Sequence, residues 1–200
     1  MVEPLEPQGE RRRRQLVEVT AQLIADHGVD AVRVPRVAEL AGVGRTALYR
    51  YFPGPEDLLA AVQDDFDAKL RERIDDDEFV AGLAGLAKEP DLAAESAATM
   101  HLFEAIWDVV QACGPAGLLL RARSPFEEGQ SQTSDRFGEV LLALGLTELQ
   151  ATLFADSANA ILTRLYFRAR RGEIDRAESL RVGHQALAGL LRGLRRDATS

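Results

Sequence analysis

Arg45, Thr46, Tyr49 and Arg50 fall at i, i+1, i+4 and i+5, a spacing that puts them on one side of any helix that carries them. Guanidinium groups are long donors able to reach guanine edges, and phenols more readily give a hydroxyl to phosphate. A helix with that outer face suits the major groove of DNA. Upstream, Arg11, Arg12, Arg13 and Arg14 open a predicted helix. Cations in a first turn oppose the helix dipole, so helix stability does not explain them. Contact with phosphate does; the plainer alternative is a solvated basic end.

The elements that position the outer face are legible in the apolar pattern. Val37, Ala38 and Ala41 recur at i, i+1 and i+4, Gly42-Val43-Gly44 interrupts, and Leu48 and Phe52 resume at i and i+4. This predicts two short helices around a tight turn. Gly42 takes the left-handed conformation that stops the first, and Gly44 caps the second. Small Ala38 and Ala41 allow close crossing, and Val37, Val43, Leu48 and Phe52 point inward. A helix from about Glu10 to His27, with Leu16, Val17, Thr20, Leu23 and Ile24 on its apolar side, packs behind them. After Pro53-Gly54, Pro55-Glu56-Asp57 starts a long helix through Leu58, Leu59, Val62, Phe66, Leu70 and Ile74.

The run Ala38-x-x-Ala41-Gly42-Val43-Gly44-Arg45-x-x-Leu48-Tyr49-Arg50-Tyr51-Phe52, followed by Glu56-x-Leu58-Leu59, is similar to the helix-turn-helix of TetR-type transcriptional regulators. The resemblance covers roughly residues 11–71. It implies an all-α chain: a three-helix head at 11–71 with its motif at 33–52, and a ligand-binding and dimerisation body at 72–200. It also implies a homodimer in the cytoplasm that binds double-stranded operator DNA, a repressor released by a small-molecule ligand and needing no cofactor. The DNA contacts carried over are Arg33, Arg36, Gly44, Arg45, Thr46, Tyr49, Arg50 and Tyr51. Two departures stand out. The usual Ser or Thr cap of the second helix is replaced by Arg33 or Val34, for which Arg33 and Arg36 are the expected substitutes, and Pro55 stands where many members have a backbone-contacting lysine.

A net charge of −8 argues against DNA until it is divided along the chain. Residues 11–52 hold eight arginines against four acids, a balance of +4, while residues 53–200 come to −9. Attraction to phosphate belongs to the local surface and is screened within about 10 Å. An acidic body with a basic head therefore fits a DNA binder. No apolar run reaches the roughly 18 to 20 residues of a membrane span, and Met1 to Arg14 lacks a signal-peptide core. Cys113 is the single cysteine, expected as a buried structural thiol.

Residues 1–9 read as a disordered arm. Beyond the long helix, helical stretches are expected near 78–88, 91–113, 133–145, 147–171 and 175–196, with a loop at Ser124 to Ser134. Thr147-x-x-Gln150 and Asp175-x-x-Glu178 read as capping boxes, and Gly172 as a helix stop. In the last two helices Phe154, Ile161 and Leu165 form one stripe and Leu187, Leu191 and Leu194 another; paired with a second copy they would make a four-helix interface, though burial within one chain is the alternative. Met100, Phe103 and Trp107, with Phe66 on the long helix and the polar Asn159 and Thr163, are the candidate ligand pocket; plain core is the alternative. The three histidines are dispersed, with no zinc spacing, phosphate loop or nucleophile beside a base, so metal and enzyme readings find no support. A helical dimer that contacts protein as a co-regulator is the competing class.

Overall fold

Apolar residues recurring every three or four positions are buried by helices. Helix, with one 3-10 turn, is the regular structure of the computed structural model, which describes residues 8–74, 92–123, 141–142 and 145–197. In chain order, α1 is Gln8–His27, the 3-10 turn Val29–Ala31, α2 Val34–Leu40, α3 Arg45–Tyr49 and α4 Pro55–Ile74. Then come α5 Leu92–Cys113, α6 Ala116–Arg123, α7 Glu148–Arg170 and α8 Arg176–Asp197. Among the described residues no helix is long and apolar enough to cross a membrane.

Two apolar clusters organise these helices. The head cluster joins Leu16, Val17, Leu23 and Ile24 of α1 to Val37 and Ala38 of α2, then Leu48 and Phe52, and is closed by Leu58, Leu59 and Val62 of α4. Thr20, fully buried, gives its hydroxyl to the Leu16 carbonyl at 2.7 Å, so its polar atom is satisfied inside the helix. The body cluster takes Phe66 and Leu70 from the same α4, with Phe103, Trp107 and Val110 of α5 and the inner faces of α7 and α8. The change from one core to the other falls between Val62 and Phe66.

Several sequence expectations need correction. α1 begins at Gln8, so Gly9 lies within the helix rather than in an arm; residues 1–7 are outside the described residues. The helices expected at 78–88 and over most of 133–145, and the loop at 124–134, also lie outside them. α6 was not expected: eight residues directly after Gly114-Pro115 are too short to show a period. Its Ala116, Leu119 and Leu120 pack on the head while Leu118 packs on the body, so it is wedged between the two.

The stripes expected to face a second copy instead fill the protomer's own core. Phe154, Leu165, Leu187 and Leu191 are buried, and Ile161 and Leu194 pack partly buried against the same cluster. α8 packs on both α5 and α7, and these contacts consume the most apolar faces. Left outward are Leu149 and Leu153 of α7, 69% and 48% exposed, and Val182 of α8 at 38%. The expected pocket residues Phe66, Phe103 and Trp107 are likewise core side chains, each at most 3% exposed.

The Thr147 box and the Gly172 stop form as read, whereas the Asp175 box forms only by half, with the Glu178 carboxylate turned to Arg181. The Thr147 cap is reciprocal, with its hydroxyl accepting from the Gln150 amide and the Gln150 side chain accepting from Thr147 N–H. Asp175 accepts from the Glu178 amide at 2.7 Å. After α7, Gly172 and Glu173 return hydrogen bonds to the carbonyls of Ala169 and Arg168. In the body, helix packing depends on two glycines at close approaches: a Cβ at Gly183 would overlap the Phe103 ring, and one at Gly117 the Phe66 ring. Because Phe103 is fully buried and has nowhere to swing, Gly183→Ala should destabilise the fold by about 1 to 3 kcal/mol, measured as a lower urea midpoint, even though Ala is the better helix former.

Candidate nucleic-acid interface

The turn between α2 and α3 is set by backbone chemistry. Gly42 has φ 64°, the left-handed region, and the amides of Gly42 and Val43 return to the carbonyls of Glu39 and Ala38 at 3.1 and 2.9 Å. Gly44, extended at φ −68° and ψ 146°, is the cap of α3. Leu48 is wholly buried and Phe52 nearly so. With that side anchored, Arg45, Thr46, Tyr49 and Arg50 are exposed together, and Tyr51 packs half-buried against the head core.

Arg33 and Arg36, expected to replace the missing hydroxyl cap, are both engaged within the head. Arg33 is the cap residue of α2, and its Nη1 donates to the carbonyls of Asp30 and Val32 at 2.7 and 2.8 Å. Arg36 pairs with Glu39 at 3.0 Å on the exposed face of α2. Both line, with Gly44 and Arg45, a groove between α2 and α3. The arginine run of α1 is tied to the same motif. Arg12 Nη1 donates to Gln15 Oε1 at 2.9 Å, Gln15 Nε2 donates to the Ala41 carbonyl at 3.3 Å, and the Arg13 guanidinium lies 5.1 Å from the centre of the Phe52 ring.

The head is joined to the body by charge as well as by apolar packing. Arg170 of α7 donates to Asp26 of α1 at 3.0 Å, and Gln22 donates to the other carboxylate oxygen at 2.6 Å. The Gln22 bond first, then the Arg170 guanidinium, hold this carboxyl below its ordinary range against partial desolvation. Deeper in, Asp67 of α4 is 4% exposed and accepts from Gln63 and from Arg121 of α6, whose guanidinium also lies over the Phe66 ring. Asn159 of α7 donates to the Leu118 carbonyl at 3.0 Å. These long-range pairs carry no local sequence signal.

The candidate pocket residues are not gathered in one cleft. Met100 lines a surface cleft between α5 and α8 with Glu104, Leu180, Arg181 and His184, and none of the other five is there. Asn159 and Thr163 are half-buried on α7; Asn159 Oδ1, Thr163 Oγ1 and Trp107 Nε1 are buried atoms with no hydrogen-bond partner among the described residues. Cys113 is half-buried, its thiol donating to the Val109 carbonyl and pushed up in pKa by desolvation. Among the described residues no three His, Cys, Asp or Glu side chains are grouped as metal ligands.

A helix-turn-helix head on an all-helical body is the architecture of a known class, and comparison agrees. Residues 16–62 match the family model for bacterial regulatory proteins, tetR family. Over 65 residues the chain is 35% identical to the nucleoid occlusion factor SlmA of Pasteurella multocida, covering 32% of this chain and 33% of that protein. Over 79 residues it is 25% identical to the HTH-type transcriptional repressor AcnR of Corynebacterium efficiens, covering 40% and 42%. The match thus spans only about a third to two-fifths of the length of these curated relatives. Along 98% of this chain and 100% of the other, the fold is similar to a crystal structure of a TetR variant from Acinetobacter baumannii AYE in complex with minocycline, with a TM-score of 0.60. At 16% identity that likeness is one of fold. The chain thus carries a tetR-family match over residues 16–62, on a fold similar to that of a solved TetR structure.

Proposed function

We propose that this protein is a sequence-specific DNA-binding transcriptional regulator, a homodimeric repressor released from its operator by a small-molecule ligand. The observation that carries the reading is the joint exposure of Arg45, Thr46, Tyr49 and Arg50 on a helix whose opposite side is anchored by Leu48. We assign DNA reading to residues 11–71, with Arg45 and Arg50 at base edges and Tyr49, Tyr51, the Gly44 amide, Arg33 and Arg36 at phosphates. Residues 72–200 are assigned to the partner copy and the ligand. Support for the dimer comes from the outward Leu149, Leu153 and Val182, beside exposed Ala186, Gly189 and Gly193, small enough for two helices to approach closely. Two heads placed about 34 to 36 Å apart would then reach successive major grooves. For the ligand, the support is the unpartnered Trp107 Nε1, Asn159 Oδ1 and Thr163 Oγ1 in an aromatic body, together with a TetR relative that holds minocycline.

Duplexes enriched by the protein from a random-sequence library, assayed by fluorescence anisotropy, should bind with a log-log salt slope of about −0.9 per phosphate contacted. Arg45→Ala should cost about 1 to 3 kcal/mol on the enriched duplex and much less on a shuffled one. Enrichment of no duplex by a folded dimer would favour the protein co-regulator reading.

Leu153→Glu, which adds a charge to an exposed side chain, should give folded monomers in sedimentation velocity with weaker operator binding, because the two heads no longer share one site. Leu187→Glu should unfold the protein instead, since Leu187 is 1% exposed within its own chain. A folded, dimeric Leu153→Glu would remove the interface from this face.

Trp107, the single tryptophan, reports on the body core. An inducing ligand should change its fluorescence, and saturating operator should shift that titration to higher ligand concentration by the same factor by which ligand weakens DNA binding. Equal ligand affinity with and without operator would separate this core from regulation.

A further inference from the structure

Because α1 begins at Gln8, the four arginines fall past its first turn rather than in it, and their expected use is the phosphate backbone. The structure places two of them, and the glutamine that follows, in a second role. Gln15 is a relay: its carbonyl oxygen accepts from Arg12, and its amide nitrogen donates to the carbonyl of Ala41. Ala41 ends α2 and opens the turn into α3, and carbonyls at a helix end lack partners in their own helix. Two residues before Gln15, Arg13 holds its guanidinium over the ring of Phe52, the buried residue just beyond α3. A single turn of α1 therefore holds the recognition helix at both ends, at the turn that precedes it and at Phe52, three residues beyond it.

This grip matters because α3 is only five residues long. Its buried anchor is Leu48 alone, so its flanks must set the angle at which it leaves the head. Paired hydrogen bonds to a base edge tolerate little angular error, whereas attraction to phosphate is diffuse and decays over about 10 Å. A loosened α3 should therefore lose discrimination between sequences while keeping its general affinity for DNA. We propose that Arg12, Arg13 and Gln15 are positioning residues for the recognition helix, so that sequence specificity depends on the first turns of α1. The proposal rests on the DNA-binding reading and adds to it residues outside the helix-turn-helix.

Gln15→Met tests it most cleanly, because Gln15 is exposed, Met has a similar length, and no charge changes. The probes are the duplex enriched by the wild-type protein and a shuffled duplex of the same composition. Affinity for the enriched duplex should fall about fivefold, the loss of a net hydrogen bond, with affinity for the shuffled duplex and the salt slope unchanged. In the free protein, the amides of Gly42 and Val43 should exchange hydrogen faster than in wild type. Phe52→Leu, which also keeps every charge, should lower the same discrimination ratio, measured where circular dichroism shows it folded. Equal losses on both duplexes would return the run to phosphate binding, and an unchanged discrimination ratio in Gln15→Met would overturn the proposal outright. If the wild-type protein enriches no duplex, the DNA-binding reading falls and takes the positioning role with it; if wild type and Gln15→Met discriminate alike, the positioning role falls alone.

Discussion

One continuous helix must serve two cores. α4 is 20 residues long, about 30 Å, and buries Leu58, Leu59 and Val62 in the head and Phe66 and Leu70 in the body. A helix bends only at a cost, so neither core can shift against the other without moving this rod or sliding along it. Acids at Glu56 and Asp57 and basic residues at Arg71 and Arg73 suit its dipole at both ends. The Asp57 carboxylate also caps the start by accepting from the Gly54 amide.

α6 restricts the rod further. It presents Ala116 to the head, Leu118 to the body, and Arg121 to the buried Asp67 of α4. Only the Asp67 side of this pair is buried, and breaking it leaves that carboxylate with Gln63 as its remaining partner inside the seam. The pair therefore favours one arrangement of α4 against α6 over its neighbours. Gly117, pressed on the Phe66 ring, adds a steric limit to the same contact. The Asp26–Arg170 pair lies at the outer edge of the head and body, where both partners are partly solvated and the attraction is weaker.

Charge is divided between the two cores in a way that serves the proposed function. The head concentrates arginine on α1, α2 and α3, while the acidic excess lies in the remainder of the chain. Some of these arginines spend hydrogen bonds on the head itself, Arg33 on two carbonyls and Arg12 on Gln15. A guanidinium keeps its charge and has five N–H groups, so one structural bond leaves it able to meet a phosphate.

The helix-turn-helix was legible from the sequence because its geometry is local. A left-handed Gly42, a capping Gly44 and inward Leu48 and Phe52 lie within eleven residues, and the Thr147 cap and the stop after α7 are similarly short-range. Tertiary structure decided which apolar face meets which partner. A stripe such as Phe154, Ile161 and Leu165 states that a face will be buried, but hydrophobic burial is non-directional and does not say whether the cover is this chain or another. Competition among α5, α7 and α8 settled it in favour of the protomer's own core and left Leu149, Leu153 and Val182 outside. The same holds for the polar ties: Gln15 to Ala41 spans 26 residues, Arg121 to Asp67 spans 54 and Arg170 to Asp26 spans 144. Such pairs exist only once packing has brought their helices together, because no property of either residue alone selects the other.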